Sequence, residues 1–552
     1  MLILHMVSEF FDVNGALANI DNTPLITLIA LIVFQFLGGL AGLFLLVSAI
    51  GNMVSMYRHL QAGKSVKSLV TRQVIGGFLL LAFAMLTEST IGNNGMMGSF
   101  ADHLNNISAT NVASIFYNGF NFETIHTIAW CIVINGIVQG ILSVGGRWKN
   151  TRQLVLVYSV LAIAVVFVTP FIWSGLSSIG YPFSTNPMTG QPLYKPYLGI
   201  SPFWEVLLGI FMNPLATPME PIFPYLAVSF VGSIMGIILA QPRESIPRDF
   251  PRKMMTVGMI MFIVGAAGIT WVVLDALQTG GFSFAASVYR LLSFHRHWAP
   301  DSDVPVTTPL AWLWQFTGLN GFAILATALI IRMVEFRGIG ADFAKKTTFI
   351  RRFGFVAFTI YAYQWIYKMN RYWFTTLFYG TPYKPMDWAG TWALIGTSLL
   401  SFHVIMRLWE KVKYTGTLEW IMGTIALVLV PARKIPVEGS TRWWQRAQLD
   451  VEGTFYNAEW LNVVEKDEMH RESLADSKLS FKLSLSGLVS FVFLPATFVT
   501  LFTSRTAQKA EGINKYNKVA FVASFIGIAI FVAFLTACII LPASTLISLL
   551  IR

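Results

Sequence analysis

Apolar runs long enough to cross a hydrocarbon layer of about 30 Å recur along almost the whole chain, and that property decides its solvent. The runs fall at residues 24–50, 74–91, 125–144, 154–173, 224–240, 255–274, 310–331, 353–367 and 388–406, with two more at 483–502 and 519–541. A backbone in lipid must satisfy its own hydrogen bonds, so each run is expected to be helical. The sequence therefore predicts an all-α, polytopic transmembrane helix bundle of about 10–12 spans. Of the 552 residues, 55% are hydrophobic and 12% are charged, and the mean hydropathy is +0.61. That charged share is about half of what a globular domain carries. No separate soluble catalytic domain of ordinary size fits between the runs, so any chemistry sits among the helices.

The net charge of +11 does not imply nucleic acid, because the basic residues lie in short blocks between apolar runs, as cytoplasmic loops of membrane proteins do. Arg58, Lys64, Lys67 and Arg72 form one block, Arg147, Lys149 and Arg152 a second, and Arg243, Arg248, Arg252 and Lys253 a third. A fourth holds Arg332, Arg337, Lys345, Lys346, Arg351 and Arg352. The alternate loops, 93–122, 174–202 and 279–308, are poor in basic residues and rich in Asn, Gly, Pro and aromatics, and are expected to face outward. Cys131 and Cys538 both fall in apolar segments, which supports neither a disulfide framework nor a thiolate metal site.

MLILHMVSEFF lacks a basic n-region and runs straight into Asp12 and Asn14, so it does not read as a removable signal peptide. It is too short to cross a bilayer alone and reads as the last half of a helix. Residues 1–425 are expected to form the main membrane domain, 431–482 a charged cytoplasmic segment, and 483–552 a closing pair of hydrophobic segments. The stretch 418–430 is apolar but short, and the side of the basic loop 503–518 depends on whether it spans. No heptad series, solenoid period or low-complexity tract is present.

Ionisable groups in or beside spanning helices are costly to bury and are therefore candidate sites. His5, followed by Glu9 and Asp12, is either an interfacial histidine or a general base. Glu123 and His126 share a helix face at i, i+3, where the carboxylate either orients the imidazole or serves the helix dipole. Glu88 joins the same outer cluster or snorkels to the interface. Tyr361, Gln364 and Lys368, at i, i+3 and i+7, give one apolar helix a polar stripe that binds either substrate or a neighbouring helix. Asn213, with Pro214, Pro218 and Pro221, suggests irregular backbone lining a cavity across 210–224. His295 and His297 lack a nearby third ligand, and no metal is expected.

Two stretches carry a family resemblance. RFGFVAFTIYAYQWIY, 352–367, resembles the Gly-Arg-x-Ala-Leu-Thr-Asn-Tyr-x-x-Gln-Ser signature of the YeiB-like membrane proteins. Gly354, Ala357, Thr359, Tyr361 and Gln364 match, whereas Phe355, Ile360 and Trp365 depart. Tyr-x-Gly-x-Leu-Glu-Trp, 414–420, is similar to the family's closing Gly-Pro-Leu-Glu-Trp-Leu run, with Thr417 in place of the Pro. FETIHTIAWCIVI, FPYLAVSFVGSIMG and MLILHMVSEFF are weaker echoes that extend the resemblance over about 1–425, while the family's Asp-x-x-Arg-Gly segment is absent.

The resemblance implies a place in a superfamily of transmembrane acyltransferases that includes the heparan-glucosaminide acetyltransferases. It implies an acyl group moved from acyl-CoA, as donor substrate and not a bound cofactor, to a sugar or lipid acceptor outside the cell membrane. His5 would then be the base with His126 in reserve, since related enzymes use a histidine near the outer end of the first helix. A transporter or lipid flippase would use the same bundle without covalent chemistry, and an assembly or sensing role is a third option. Membrane lipids are expected partners, nucleic acid is not, and homo-oligomer formation stays open.

Overall fold

The computed structural model describes residues 2–18, 23–107, 112–187, 193–217, 220–278, 310–338, 340–430, 449–464, 474–489 and 496–540. The chain is an all-α, polytopic membrane protein, with no strand among the described residues and only isolated bridges such as that between Phe11 and Met386. Nine helices among them are long and apolar enough to span, and the helices Phe203–Leu215 and Leu418–Leu429 are apolar but shorter. Ile163 and Phe167, both 71% exposed, line the outside of the helix Thr151–Ser178. Large apolar side chains so exposed along a whole helix require lipid as their solvent.

The chain divides into two compact units. The first comprises Met1–Asp12, Phe34–Leu329 and Asp342–Glu459. Some of its spans start where a polar side chain caps free backbone N–H groups. Ser65 accepts from Ser68 N–H, Asn150 from Gln153 N–H and Asp387 from Gly390 N–H. Helix pairs then close on small residues, which let backbones approach where no hydrophobic effect drives association. Gly265 on Phe250–Gln278 faces Gly318 on Ala311–Glu335 so closely that a Cβ there would strike the opposite backbone.

The first unit has a basic end and a polar end. At the basic end Tyr57 O–H donates to the Trp148 carbonyl at 3.2 Å and Gln61 Nε2 to the Ala240 carbonyl at 2.9 Å. These bonds gather the turns that carry the first three basic blocks. At the polar end the helix Leu2–Phe10 buries Met6, Val7 and Phe10 against Tyr367, Met386, Leu394 and Ile395. Met386 N–H donates to the Phe10 carbonyl at 2.9 Å and anchors that helix.

The run 353–367 does not form one span. It is broken into Gly340–Phe355, Ala357–Ala362 and Trp365–Tyr379. The break at Val356 is stable because Glu419 accepts the N–H groups of Phe358 (2.8 Å) and Thr359 (3.2 Å). Thr359 Oγ1 in turn accepts Leu418 N–H at 2.8 Å. The region 210–224 also differs from expectation. Asn213 and Pro214 lie inside the helix Phe203–Ala216, and among the described residues the non-helical backbone falls at Thr217, at Glu220 and Pro221, and at Phe223 inside Ile222–Leu239.

The second unit comprises Val13–Val33, Ile330–Ala341 and Trp460–Arg552. Its helices Ala475–Val489, Ala496–Glu511 and Lys515–Ile540 pack through small side chains, with Ser477, Ser484, Thr497, Ser504 and Ala520 fully buried. Arg332 and Arg337 both pair with Asp476. Glu511 caps Ala475–Val489 by accepting Asp476 N–H at 2.8 Å and Ser477 N–H at 2.9 Å. Arg505 and Lys509, expected in a loop, are helical.

Candidate functional site

The polar end of the first unit brings together groups from five segments of the chain. His5 and Glu9 are one turn apart on Leu2–Phe10 and share a face. His5 Nδ1 lies 2.8 Å from Gln364 Oε1, at the second break of the interrupted helix. Glu9 accepts from Tyr367 O–H at 2.8 Å and from Asn93 Nδ2 at 3.3 Å. One turn beyond Gln364, Lys368 donates to Asp102 at 2.7 Å and to the Asn93 carbonyl at 3.0 Å. Arg371 Nη2 donates to the Tyr383 carbonyl at 2.7 Å, with its guanidinium over Phe10.

Glu123 accepts from Tyr361 O–H at 2.6 Å, from Asn94 Nδ2 at 3.4 Å and from Asn121 Nδ2 at 3.3 Å. The same Asn94 amide donates to Glu88 at 3.3 Å. Asn93 and Asn94 thus turn to opposite halves of the site, one to the Glu9 and Lys368 side, the other to the Glu88 and Glu123 side. Their turn depends on Gly98, where a Cβ would collide with the Asn93 carbonyl. The Gly-Asn-Asn-Gly run 92–95 is the sequence signal that marks it.

His126 occupies the third position of the helix Thr124–Ser143, in a capping box with Glu123. Its Nδ1 accepts the Glu123 backbone N–H at 3.2 Å, so the ring hydrogen resides on Nε2. That Nε2 is buried and has no partner among the described residues. Two threonines of the same first turn clamp Glu220: Thr124 donates to its carboxylate and Thr127 to its backbone carbonyl at 2.8 Å. Glu220 is 5% exposed and holds a left-handed φ of 51°. Burial pushes its carboxyl up to about 7, with the Thr124 hydrogen bond opposing and the nearby Glu123 charge adding to the rise.

The structure therefore unites His5, Glu88, Glu123, His126, Tyr361, Gln364 and Lys368, although the last three belong to different pieces of a broken helix. Asn213 stands apart, accepting from Tyr181 O–H at 2.5 Å and donating to the Tyr194 carbonyl at 3.1 Å. His295 and His297 lie outside the described residues. Among the described residues no group of three or more His, Cys, Asp or Glu side chains is placed to hold a metal ion. Asn93, Asn94, Asp102, Glu220, Tyr367 and Arg371 were not singled out from the sequence.

The two stretches that carried the family resemblance meet in space, through the bonds between Glu419 and the Phe358–Thr359 backbone. The chain matches no family model, no curated protein and no solved structure.

Proposed function

We propose that the chain is an acyltransferase of the cell membrane, taking an acyl group from acyl-CoA to a sugar or lipid acceptor at the outer face, with His5 as general base. The observation that carries this reading is the pairing of His5 Nδ1 with Gln364 Oε1 at 2.8 Å. An amide oxygen only accepts, so Nδ1 carries the hydrogen and Nε2 keeps a lone pair. Nε2 takes the proton of an acceptor hydroxyl or amine as that oxygen or nitrogen attacks the thioester carbonyl. The C–S bond then breaks, and the CoA thiolate takes the proton from the imidazolium. His126 is unsuited to this role, because its Nδ1 lone pair is engaged by Glu123 N–H. The basic end, with Arg58, Lys64, Arg147 and Arg252 close to its turns, offers cations for the CoA phosphates. The YeiB-like resemblance points the same way.

The test is to incubate purified protein with radiolabelled acetyl-CoA and candidate acceptors, and to follow free CoA and acylated product. His5→Ala should lower transfer about a hundredfold or more while the protein stays folded. Full activity in a His5→Ala, His126→Ala double variant would sink the mechanism. A second reading, as a transporter or flippase, is favoured by one observation: the break at Tyr363 and Gln364, and the irregular link at Glu220, adjoin one cluster of buried polar groups. Interrupted helices around a polar site are a transporter device. Failure of the wild-type protein to bind acetyl-CoA would favour that reading.

A further inference from the structure

A second polar feature leads from the site into the bundle. The helix Thr124–Ser143 carries Thr127, Cys131, Asn135, Gln139 and Ser143, one at every fourth position, and each is 2% exposed or less. That spacing puts them on one slowly turning stripe. At 1.5 Å per residue the stripe covers about 24 Å of the helix axis, most of a hydrocarbon layer. Near the basic end its groups are satisfied. Tyr158 O–H donates to Gln139 Oε1 at 2.7 Å, and Gln139 Nε2 donates to Ser143 Oγ at 3.0 Å.

The centre of the stripe is different. Ser233 Oγ uses its hydrogen on the Ser229 carbonyl at 2.9 Å, so toward Asn135 it can only accept. Asn135 Nδ2 accordingly donates to Ser233 Oγ at 2.5 Å and to Ser229 Oγ at 3.2 Å. This fixes which way the amide faces. Asn135 Oδ1 is then a buried acceptor with no partner among the described residues. Asn135 lines a small cavity together with Ser48, Asn52, Gln73, Cys131 and Ser229, with Leu45, Ala49, Ile128 and Ile132 as the apolar part of its wall. An apolar void of this kind stays dry. A polar one with a free acceptor and several hydroxyl and amide neighbours holds water, and the space suffices for about one molecule.

We propose that this cavity is a binding site for a water molecule, held by Asn135 Oδ1 and the surrounding hydroxyl and amide groups. Its occupancy completes the hydrogen bonding at the centre of the stripe, as direct side-chain contacts do near the basic end. Helix-to-helix hydrogen bonding alone explains the Nδ2 contacts of Asn135 and leaves its Oδ1 unexplained.

Radiolytic footprinting tests it on the full-length protein. A short X-ray pulse converts bound water to hydroxyl radical, which oxidises the side chains beside it, and Cys131 lines the cavity. Peptide-resolved mass spectrometry after equilibration in ¹⁸O-water should show Cys131 oxidised with ¹⁸O incorporated. The reference is Leu81→Cys in a Cys131→Ser background, which places a thiol in the apolar cluster of Phe122 and Ala129. Oxidation of Cys131 about tenfold faster than that reference is expected, as is its loss in Asn135→Leu. If Asn135→Leu fails to fold, Asn52→Leu and Ser229→Ala should each lower the rate. Oxidation no faster than in the apolar reference, or unchanged in all three variants, would overturn the proposal.

Discussion

Glu220 combines three costs at one residue: a left-handed backbone, near-complete burial and a carboxylate neighbour in Glu123. A non-glycine residue in that backbone region costs of order 1 kcal/mol and persists where the surroundings over-determine it. Here the surroundings are the two threonines that open Thr124–Ser143. Its carboxyl titrates at about 7 in the folded chain against an ordinary value of 4.5. Between those values the unfolded chain has lost the proton while the folded chain keeps it. The unfolded state then binds fewer protons, so the contribution of Glu220 to stability falls as pH rises through the window. Glu220→Gln carries no such charge. The variant should gain stability relative to wild type between about pH 4.5 and pH 7, and the gain should level off above. Paired thermal melts in detergent measure it, and a difference independent of pH would refute it. Glu88 was legible in the sequence because a charge inside an apolar run stands out, and Glu123 because it stands with His126 where such a run opens. Glu220, Asn93 and Asn94 were not, since a polar residue in a link costs nothing until tertiary packing buries it.

At the scale of elements, two short helices cap each other. Glu419 at the start of Leu418–Leu429 receives the free N–H groups of Ala357–Ala362, and Thr359 returns the bond to Leu418 N–H. Removing the Glu419 carboxylate leaves buried donors unmade, at about 1–3 kcal/mol each. Glu419→Ala is therefore expected to destabilise the protein by several kcal/mol. Glu419→Gln keeps one acceptor oxygen and should cost less. Detergent melting curves rank the two, and equal losses would show that the cap is not what the carboxylate supplies. The long helices were readable from apolar length alone, and those at 125–144, 154–173 and 224–240 start within three residues of where the sequence placed them. The break at Val356 was invisible for a physical reason. Hydropathy reports the medium around side chains, and a broken helix roofed by protein stays as apolar as a continuous one. The stripe 361, 364, 368 still marked the right face.

Over the whole molecule, the first unit continues past the residues that carry the resemblance, to Glu459. Phe455 completes a cluster with Val356, Ile360, Phe402, Met406 and Tyr414. Arg351 and Arg352 lie over its ring, and Tyr456 O–H donates to Glu410 at 2.5 Å. Phe455→Ala should cost about 3 kcal/mol, the usual result of emptying a buried aromatic site. A loss within error of zero on a melting curve would remove Phe455 from that core.

The two ends of the first unit also set its orientation. The turns gathered by the Tyr57 and Gln61 bonds carry three basic blocks, and the positive-inside bias places such an end in the cytoplasm. The site built on His5, Glu9, Glu88 and Glu123 is then expected to face outward. With Cys131 and Cys538 replaced by Ser, single cysteines at Lys64, Arg147 and Arg252, all exposed at the basic end, provide the probes, and Asn105 provides one at the polar end. A membrane-impermeant thiol reagent added to intact cells should label Asn105→Cys at once. It should reach Lys64→Cys, Arg147→Cys and Arg252→Cys only after permeabilisation. Labelling of all three from outside, with Asn105→Cys protected, would invert the molecule. In the acyl transfer proposed for His5, the acceptor would then be met on the cytoplasmic side, beside the CoA pool, and that transfer would no longer have to cross the membrane.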